Sequence, residues 1–227
     1  MGLHPISSAY RHRCSRLVLV VVFIYFSYHD RFMAKGKNDL ILRDRLQFTM
    51  DANGDLDVVY GRIDLSDYVS VVNNQGLAIK EVRIQVRDPS TPNTGSFRQM
   101  LNTTQDSITN SFLKIFASTT AYESAQDVGI GSPNVFALVE HQQYTFPIEQ
   151  GGSNVGGSAE YLYFEFGTPD LHPDGYTVVS DVLIGVSAND CTVYANETLE
   201  VDVMLIAESI KVTKDELKSM LEQATDL

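Results

Sequence analysis

The chain has 227 residues, a formal net charge of −12 and an apolar share of 44%. This apolar share is ample for a packed core, so the composition argues against a disordered chain. The negative charge repels phosphate backbones, and we therefore expect no direct sequence-specific contact with nucleic acid. The two cysteines, Cys14 and Cys191, cannot form a disulfide framework, and Cys191 is predicted to be a lone buried thiol.

The first 32 residues are predicted to lie outside the folded domain. Basic residues from Arg11 to Arg16 precede an apolar run, Leu17 to Phe26, which is short for a membrane span and lacks a following small-residue cleavage site. Three interpretations stay open: an over-extended start upstream of Met33, an uncleaved membrane anchor, and a signal peptide. Residues 33–227 are predicted to form one domain, and a membrane contact is expected only where residues 1–32 are retained.

From Leu40 to Val212 the apolar residues fall in short runs rich in Val, Ile, Tyr and Phe, separated by polar turn residues. This pattern predicts an all-β fold: an antiparallel jelly-roll-like β-sandwich of about eight strands with a short C-terminal amphipathic helix. The predicted strands are 40–50, 56–65, 77–87, 111–119, 134–146, 159–166, 176–188 and 198–212.

Three local signals refine this prediction. Asn53-Gly54 lies between the first two runs and predicts a β-hairpin. In the third run the alternation changes phase between Ile79 and Val82, which predicts a β-bulge. The glycine-rich segment from Gln150 to Ser158 is predicted to be a flexible excursion between strands.

The end of the chain carries the signature of a helix. Thr213 and Glu216 have the spacing of a capping box, which predicts a helix start. An apolar stripe then follows on one face, and such a short helix is stable only where the stripe is buried. The helix either packs on its own sandwich or docks on a neighbouring subunit. The candidate subunit contacts are Leu217, Met220, Leu221 and Ala224.

The acidic residues that follow the first predicted strand partly resemble a calcium-binding loop. Its candidate ligands would be Asp51, Asn53, Asp55 and Asp57. In the EF-hand spacing a glycine occupies the sixth position and a glutamate the twelfth, whereas here Gly54 is fourth and Arg62 is twelfth. The turn signal already explains Asn53-Gly54, so no metal site is predicted.

No complete catalytic constellation is found. His172 and Asp174 form a His-x-Asp pair, but the second histidine that an iron-binding facial triad needs does not follow. Cys191 has no base nearby in the sequence, and no Gly-x-Ser-x-Gly motif occurs. We therefore expect no enzymatic activity and no cofactor.

Short strands, long polar loops, compact length and the lack of an active-site motif together resemble single jelly-roll capsid proteins of icosahedral viruses. The resemblance covers Met33 to Leu227 as a pattern. It implies a structural, self-assembling shell subunit in a virion, with copies of itself and other shell proteins as partners. Loops such as Pro89 to Gly95 would then adapt to neighbours. The chain lacks a strongly basic arm, which fits a shell that a membrane or other proteins separate from the genome.

The alternative is a secreted or surface-anchored β-sandwich that binds carbohydrate or mediates adhesion. It would make the N-terminal apolar run a true targeting segment. Sugar rings stack on exposed aromatic faces, and Tyr161 and Tyr163 alternate onto one face of a predicted strand. Trp, which is common in carbohydrate platforms, is absent, and this face could be platform or core. At least one face of that strand is expected to belong to the core.

Overall fold

The computed structural model describes residues 39–92, 99–101, 108–150, 153–167 and 174–225, with the backbone alone at 149–150, 153–158, 221 and 223–225. Nine strands and a C-terminal helix make up most of the regular structure of these ranges. The strands are β1 (Asp39–Thr49), β2 (Leu56–Ile63), β3 (Gln75–Arg87), β4 (Thr109–Ser118), β5 (Val135–Gln150), β6 (Ser153–Phe166), β7 (Tyr176–Val178), β8 (Val182–Asn189) and β9 (Thr198–Lys211), and the helix is α1 (Lys214–Thr225).

The strands form two antiparallel sheets, which confirms the predicted fold class. Sheet A has the order β1-β9-β3-β7, and sheet B has the order β2-β8-β4-β5-β6. Successive strands mostly alternate between the sheets, as in a jelly roll. Strand β6 is the addition to the eight-stranded pattern, since it extends sheet B beyond β5.

The Asn53-Gly54 turn does not form the predicted hairpin. Strand β1 pairs with β9 along its whole length, whereas β2 pairs with β8 in the other sheet. The turn therefore carries the chain from one sheet to the other. Gly54 has φ +82°, so the glycine signal located the turn correctly but not the pairing that follows.

The single run predicted at 176–188 is two strands in different sheets. Strand β7 pairs with β3 in sheet A and β8 pairs with β4 in sheet B. Asp181 lies between them: one carboxylate oxygen accepts a hydrogen bond from the Leu65 amide at 2.9 Å, and the other forms an ion pair with Arg62 at 2.5 Å. Asp181 thus connects the segment between β7 and β8 to the end of β2 and the segment that follows it.

The bulge predicted in β3 is confirmed. The register of β3 against β9 shifts between Ile79 and Glu81, which places Ile79 and Val82 on the same inner face. Both side chains are fully buried in a core built from the inner faces of the two sheets. The bulge corrects the side-chain phase so that both halves of β3 contribute to one core.

The segment predicted as a flexible excursion is instead part of a long antiparallel hairpin. Strands β5 and β6 pair from Leu138 opposite Phe166 to Gln150 opposite Ser153, with a register shift between Ile148 and Glu149. Backbone pairing defines the strands of this region. Among the described residues, no helix is both long and apolar enough to span a bilayer.

Candidate assembly surface

The helix α1, which carries the predicted subunit contacts, packs its first turn on the sandwich of its own chain. Thr213 and Glu216 form the capping box: the Thr213 amide donates to Glu216 at 2.9 Å, and the Glu216 amide donates to the Thr213 hydroxyl at 3.3 Å. These hydrogen bonds lower the pKa of Glu216. Leu217 is 7% exposed and packs with Val179 and Val212, and Met220 lies partly buried beside them.

Leu217 is therefore occupied within its own chain, as the intramolecular alternative expects. The side chains of Leu221 and Ala224 lie outside the described residues. A contact between this helix and a neighbouring subunit stays a prediction. A different surface, on the β5–β6 hairpin, exposes more apolar side chains.

Exposed apolar side chains are concentrated on the β5–β6 hairpin. Six of the eleven large apolar side chains that are exposed in the described part of the chain belong to it. We call these six the aromatic edge: Phe146 (38% exposed), Ile148 (45%), Tyr161 (43%), Tyr163 (48%), Phe164 (52%) and Phe166 (37%). These side chains lie on both faces of one hairpin, and exposed apolar side chains concentrated on one element are a feature of association surfaces.

Within the described part of the chain, two features leave the side of the hairpin that carries Phe164 and Phe166 uncovered. Phe164 and Phe166 pair with Glu140 and Leu138 of β5, so they share the outer face of sheet B. The segment that follows β4 covers this face as far as Leu138, through a cluster that contains Phe116 and Val128. Strand β6 lies one strand further out, beyond that cover.

Tyr161 and Tyr163 lie on the opposite face of β6, the side from which sheet A approaches sheet B. Sheet A has four strands against five in sheet B, and its last strand, β7, is three residues long. Both tyrosines therefore stay about half exposed, and the expectation that one face of this strand is core is wrong. Sequence reasoning missed the aromatic edge, because apolar residues on both phases of Glu160–Phe166 are typical of a strand that is buried on both faces.

His141 lies between the two tyrosines and is uncharged at neutral pH. Its ring centroid is 5.0 Å from that of Tyr163 and 5.9 Å from that of Tyr161, and its Nδ1 is hydrogen-bonded to the Tyr161 hydroxyl. Burial lowers the pKa of His141 to about 4 and raises the pKa of Tyr163 to about 12. This part of the surface therefore carries neither imidazolium nor phenolate charge near pH 7.

Among the described residues, no strand pairs with the outer edge of β6. Strand β6 ends the order of sheet B, with β5 as its neighbour on one side. A strand in this position presents unpaired N–H and C=O groups along its free edge, and proteins usually protect such edges with charge or proline. The described side chains from Tyr161 to Phe164 are apolar or aromatic, and the exposed Glu160 and Glu165 flank them.

The other sites considered in the sequence have structural roles. Asp51 Oδ1 accepts from the amides of Asp55 and Asn53, both at 2.8 Å, and these bonds lower its pKa. Asp55 accepts from the Asp190 amide at 2.7 Å. In the described ranges no group of three or more His, Cys, Asp or Glu residues is arranged to hold a metal ion.

Cys191 is the buried thiol that the sequence predicts. It is fully buried, its Sγ is 3.3 Å from the Ser111 hydroxyl, and burial raises its pKa to about 11. A thiol that stays protonated is a poor nucleophile, so this environment suits packing rather than catalysis. His172 lies outside the described residues.

No family model and no curated protein sequence matches the chain. Among solved structures, it is similar to the BFDV capsid protein, a 60-mer, with 12% identity, a TM-score of 0.28, and coverage of 78% of this chain and 96% of that one. It is also similar to VP1 of Trichodysplasia spinulosa-associated polyomavirus, with 9% identity, a TM-score of 0.30, and coverage of 78% and 96%. A glycoside hydrolase of Bacteroides thetaiotaomicron matches with 11% identity, a TM-score of 0.21, and coverage of 75% and 47%. At these scores the likenesses carry no argument about function.

Proposed function

We propose that this chain is a self-assembling structural protein, and specifically a capsid subunit of a virion. The observation that carries the proposal is the aromatic edge, an exposed apolar surface at the open side of a jelly-roll sandwich. The proposal assigns no catalytic step and no cofactor. Its partners are copies of the chain itself and, in a shell of several components, other shell proteins.

Burial of the aromatic edge would supply a substantial driving force for association. Complete burial of a phenylalanine side chain contributes about 1.5–3 kcal/mol. Phe164 and Phe166 are 52% and 37% exposed, so covering these two alone would contribute on the order of 2 kcal/mol. Backbone pairing along β6 would add to this, because an added strand satisfies the free N–H and C=O groups.

The proposal is tested with the full chain by light scattering coupled to size exclusion, with negative-stain imaging of any large species. We expect regular oligomers or closed particles. The double substitution Phe164→Thr and Phe166→Thr keeps strand propensity and removes the apolar surface, so it should give monomers of unchanged secondary structure.

The matched control is Val71→Thr with Val72→Thr. These valines are also exposed but lie in the turn before β3, away from the hairpin. The control should assemble as the unsubstituted chain does. A monomer at every concentration and salt for the unsubstituted chain would refute the assembly function.

A carbohydrate-binding module is the second candidate, and one observation favours it. Tyr161 and Tyr163 are half exposed on one face with His141 between them, and aromatic rings bind the apolar faces of sugars. A monomeric chain that binds immobilised glycans, and loses that binding with Tyr161→Ala, would support this function over assembly. This alternative places the protein outside the cell or at its surface.

A further inference from the structure

Strand β6 carries exposed aromatic side chains on both of its faces. Phe164 and Phe166 lie on the outer face of sheet B, whereas Tyr161 and Tyr163 lie on the opposite face. A partner that docks on one face of the sheet would cover only one of these two pairs. A strand that adds beside β6 would contact both pairs, because its own side chains alternate between the same two faces.

The glutamates at the two ends of the aromatic stretch are compatible with a second β6 as the added strand. Glu160 and Glu165 are both exposed, and they lie on opposite faces of β6 because they are five residues apart along the strand. Residues directly opposite each other in an antiparallel pair share a face. When two β6 strands pair about a two-fold axis, Glu160 of one copy therefore never lies opposite Glu165 of the other.

A two-fold register centred on Tyr163 brings apolar side chains together on both faces. On the outer face of sheet B, Leu162 of each copy lies opposite Phe164 of the other copy. On the opposite face, Tyr163 lies beside its own counterpart. Aromatic and aliphatic side chains that meet in this way across two strands stabilise the pairing.

The same register places each glutamate opposite an aromatic side chain. Glu160 lies opposite Phe166, and Glu165 lies opposite Tyr161. A register centred on Glu160 or on Glu165 would instead set two carboxylates directly opposite each other, which destabilises a strand pair. The glutamates therefore limit how far the two strands can slip along each other.

The area available at β6 is sufficient for a contact between two copies. Phenylalanine and tyrosine side chains bury about 150–250 Å² each when they are fully covered. The four aromatic side chains of β6 are 37–52% exposed, so pairing could remove roughly 700 Å² of their surface over both copies. The paired backbone edges add to this area and bring the total near about 1,000 Å², the lower end of specific interfaces.

We infer that β6 is a two-fold pairing edge, at which the β6 strands of two copies add to each other antiparallel, centred on Tyr163. This inference rests on the proposed function, since it names the partner of the aromatic edge and the geometry of the contact. The pairing joins the two copies of sheet B into one continuous sheet. A two-fold contact closes on two copies, so a shell is built from these dimers through a second contact on each subunit.

The geometry is tested by cross-linking the full chain through a single cysteine with a short bismaleimide. Cys14→Ser is the background, and the fully buried Cys191 is kept. Only a two-fold contact brings a residue next to its own counterpart, so Tyr163→Cys is expected to give a covalent dimer on a denaturing gel. Leu162→Cys, one residue from the axis, leaves all four aromatic side chains of β6 in place and should give the same dimer.

The control for this experiment is Val72→Cys in the same background. Val72 is 92% exposed and lies in the turn before β3, so it would react first if random collisions caused cross-linking. The control should stay monomeric on the gel. Equal cross-linking of Val72→Cys and of both β6 variants would overturn the two-fold pairing.

Charge gives a second, independent measurement by sedimentation velocity. In the paired edges the carboxylates of Glu160 and Glu165 from both copies lie within one junction, where like charges weaken association. Glu160→Gln with Glu165→Gln is therefore expected to associate at least about threefold more tightly, and added salt should tighten the unsubstituted chain in the same direction. Asp57→Asn with Glu123→Gln makes the same charge change at exposed residues outside the hairpin and should leave association unchanged.

The possible failures are distinguishable. If the unsubstituted chain assembles and Phe164→Thr with Phe166→Thr abolishes this, but neither Tyr163→Cys nor Leu162→Cys cross-links, β6 binds a different surface: the inference fails and the assembly function stands. Weaker association of Glu160→Gln with Glu165→Gln would also overturn the inference, since it would indicate a cationic partner surface. If the unsubstituted chain never assembles, both the inference and the proposed function fail.

Discussion

Single residues at the turn after β1 decide how the chain passes between the sheets. The Gly54 amide donates to the Asp51 carbonyl at 3.1 Å, and the Gly54 carbonyl accepts from the Cys191 amide at 3.0 Å. A Cβ at Gly54 would lie 2.3 Å from the carbonyl carbon of Cys191. Glycine is therefore required twice here, for its positive φ and for the close approach of the segment after β8.

Gly54→Ala is expected to lower the free energy of unfolding by more than about 2 kcal/mol, from the left-handed backbone and the clash together. The measurement is urea unfolding followed by circular dichroism. Gly131→Ala is the control, since no atom lies within 4 Å of its added Cβ and its φ is not in the left-handed region. The control should change stability by no more than about 0.5 kcal/mol. Equal effects of the two substitutions would contradict this role for Gly54.

Among the strands and the helix, apolar periodicity predicted the features that depend on buried side chains. It located all eight apolar runs, the β3 bulge and the capped helix, because each leaves a pattern of buried side chains. It did not predict that residues 176–188 divide between the sheets, since both parts are apolar and the break depends on Asp181. It also missed the extension of the β5–β6 hairpin, which backbone pairing holds together.

Leu217 is expected to hold α1 on the sandwich, because so short a helix is marginal without a buried contact. Leu217→Ala should therefore speed hydrogen exchange of the α1 amides by at least about tenfold, with little effect on the amides of β9. Lys218→Ala, on the exposed side of the helix, is the control and should leave exchange unchanged. Unchanged exchange in both variants would show that another contact, such as a neighbouring subunit, holds the helix.

For the whole molecule, the sequence predicted the fold class but not the exposed surface on which the proposed function depends. The expectation of no catalytic site rested on residues such as Cys191, which has no base nearby in the sequence. The carboxylates near Asp51 likewise do not have the spacing of a calcium loop. The aromatic edge could not be predicted, because Tyr161 and Phe164 are apolar residues in a strand and read as core. These side chains are exposed because β6 lies one strand beyond the segments that cover the two faces of sheet B. That is a property of sheet order, which local sequence does not encode.

Assembly through this edge should make thermal stability depend on protein concentration, because association stabilises only folded subunits. Each tenfold increase in concentration is expected to raise the melting temperature by roughly 4 °C, given the entropy of unfolding of a domain of this size. Scanning fluorimetry over a hundredfold concentration range measures this slope. Phe164→Thr with Phe166→Thr should flatten it, whereas Val71→Thr with Val72→Thr should preserve it. A flat slope in the unsubstituted chain would mean that the aromatic edge stays exposed in the folded protein. The aromatic edge would then be expected to bind a ligand rather than a second copy of the chain.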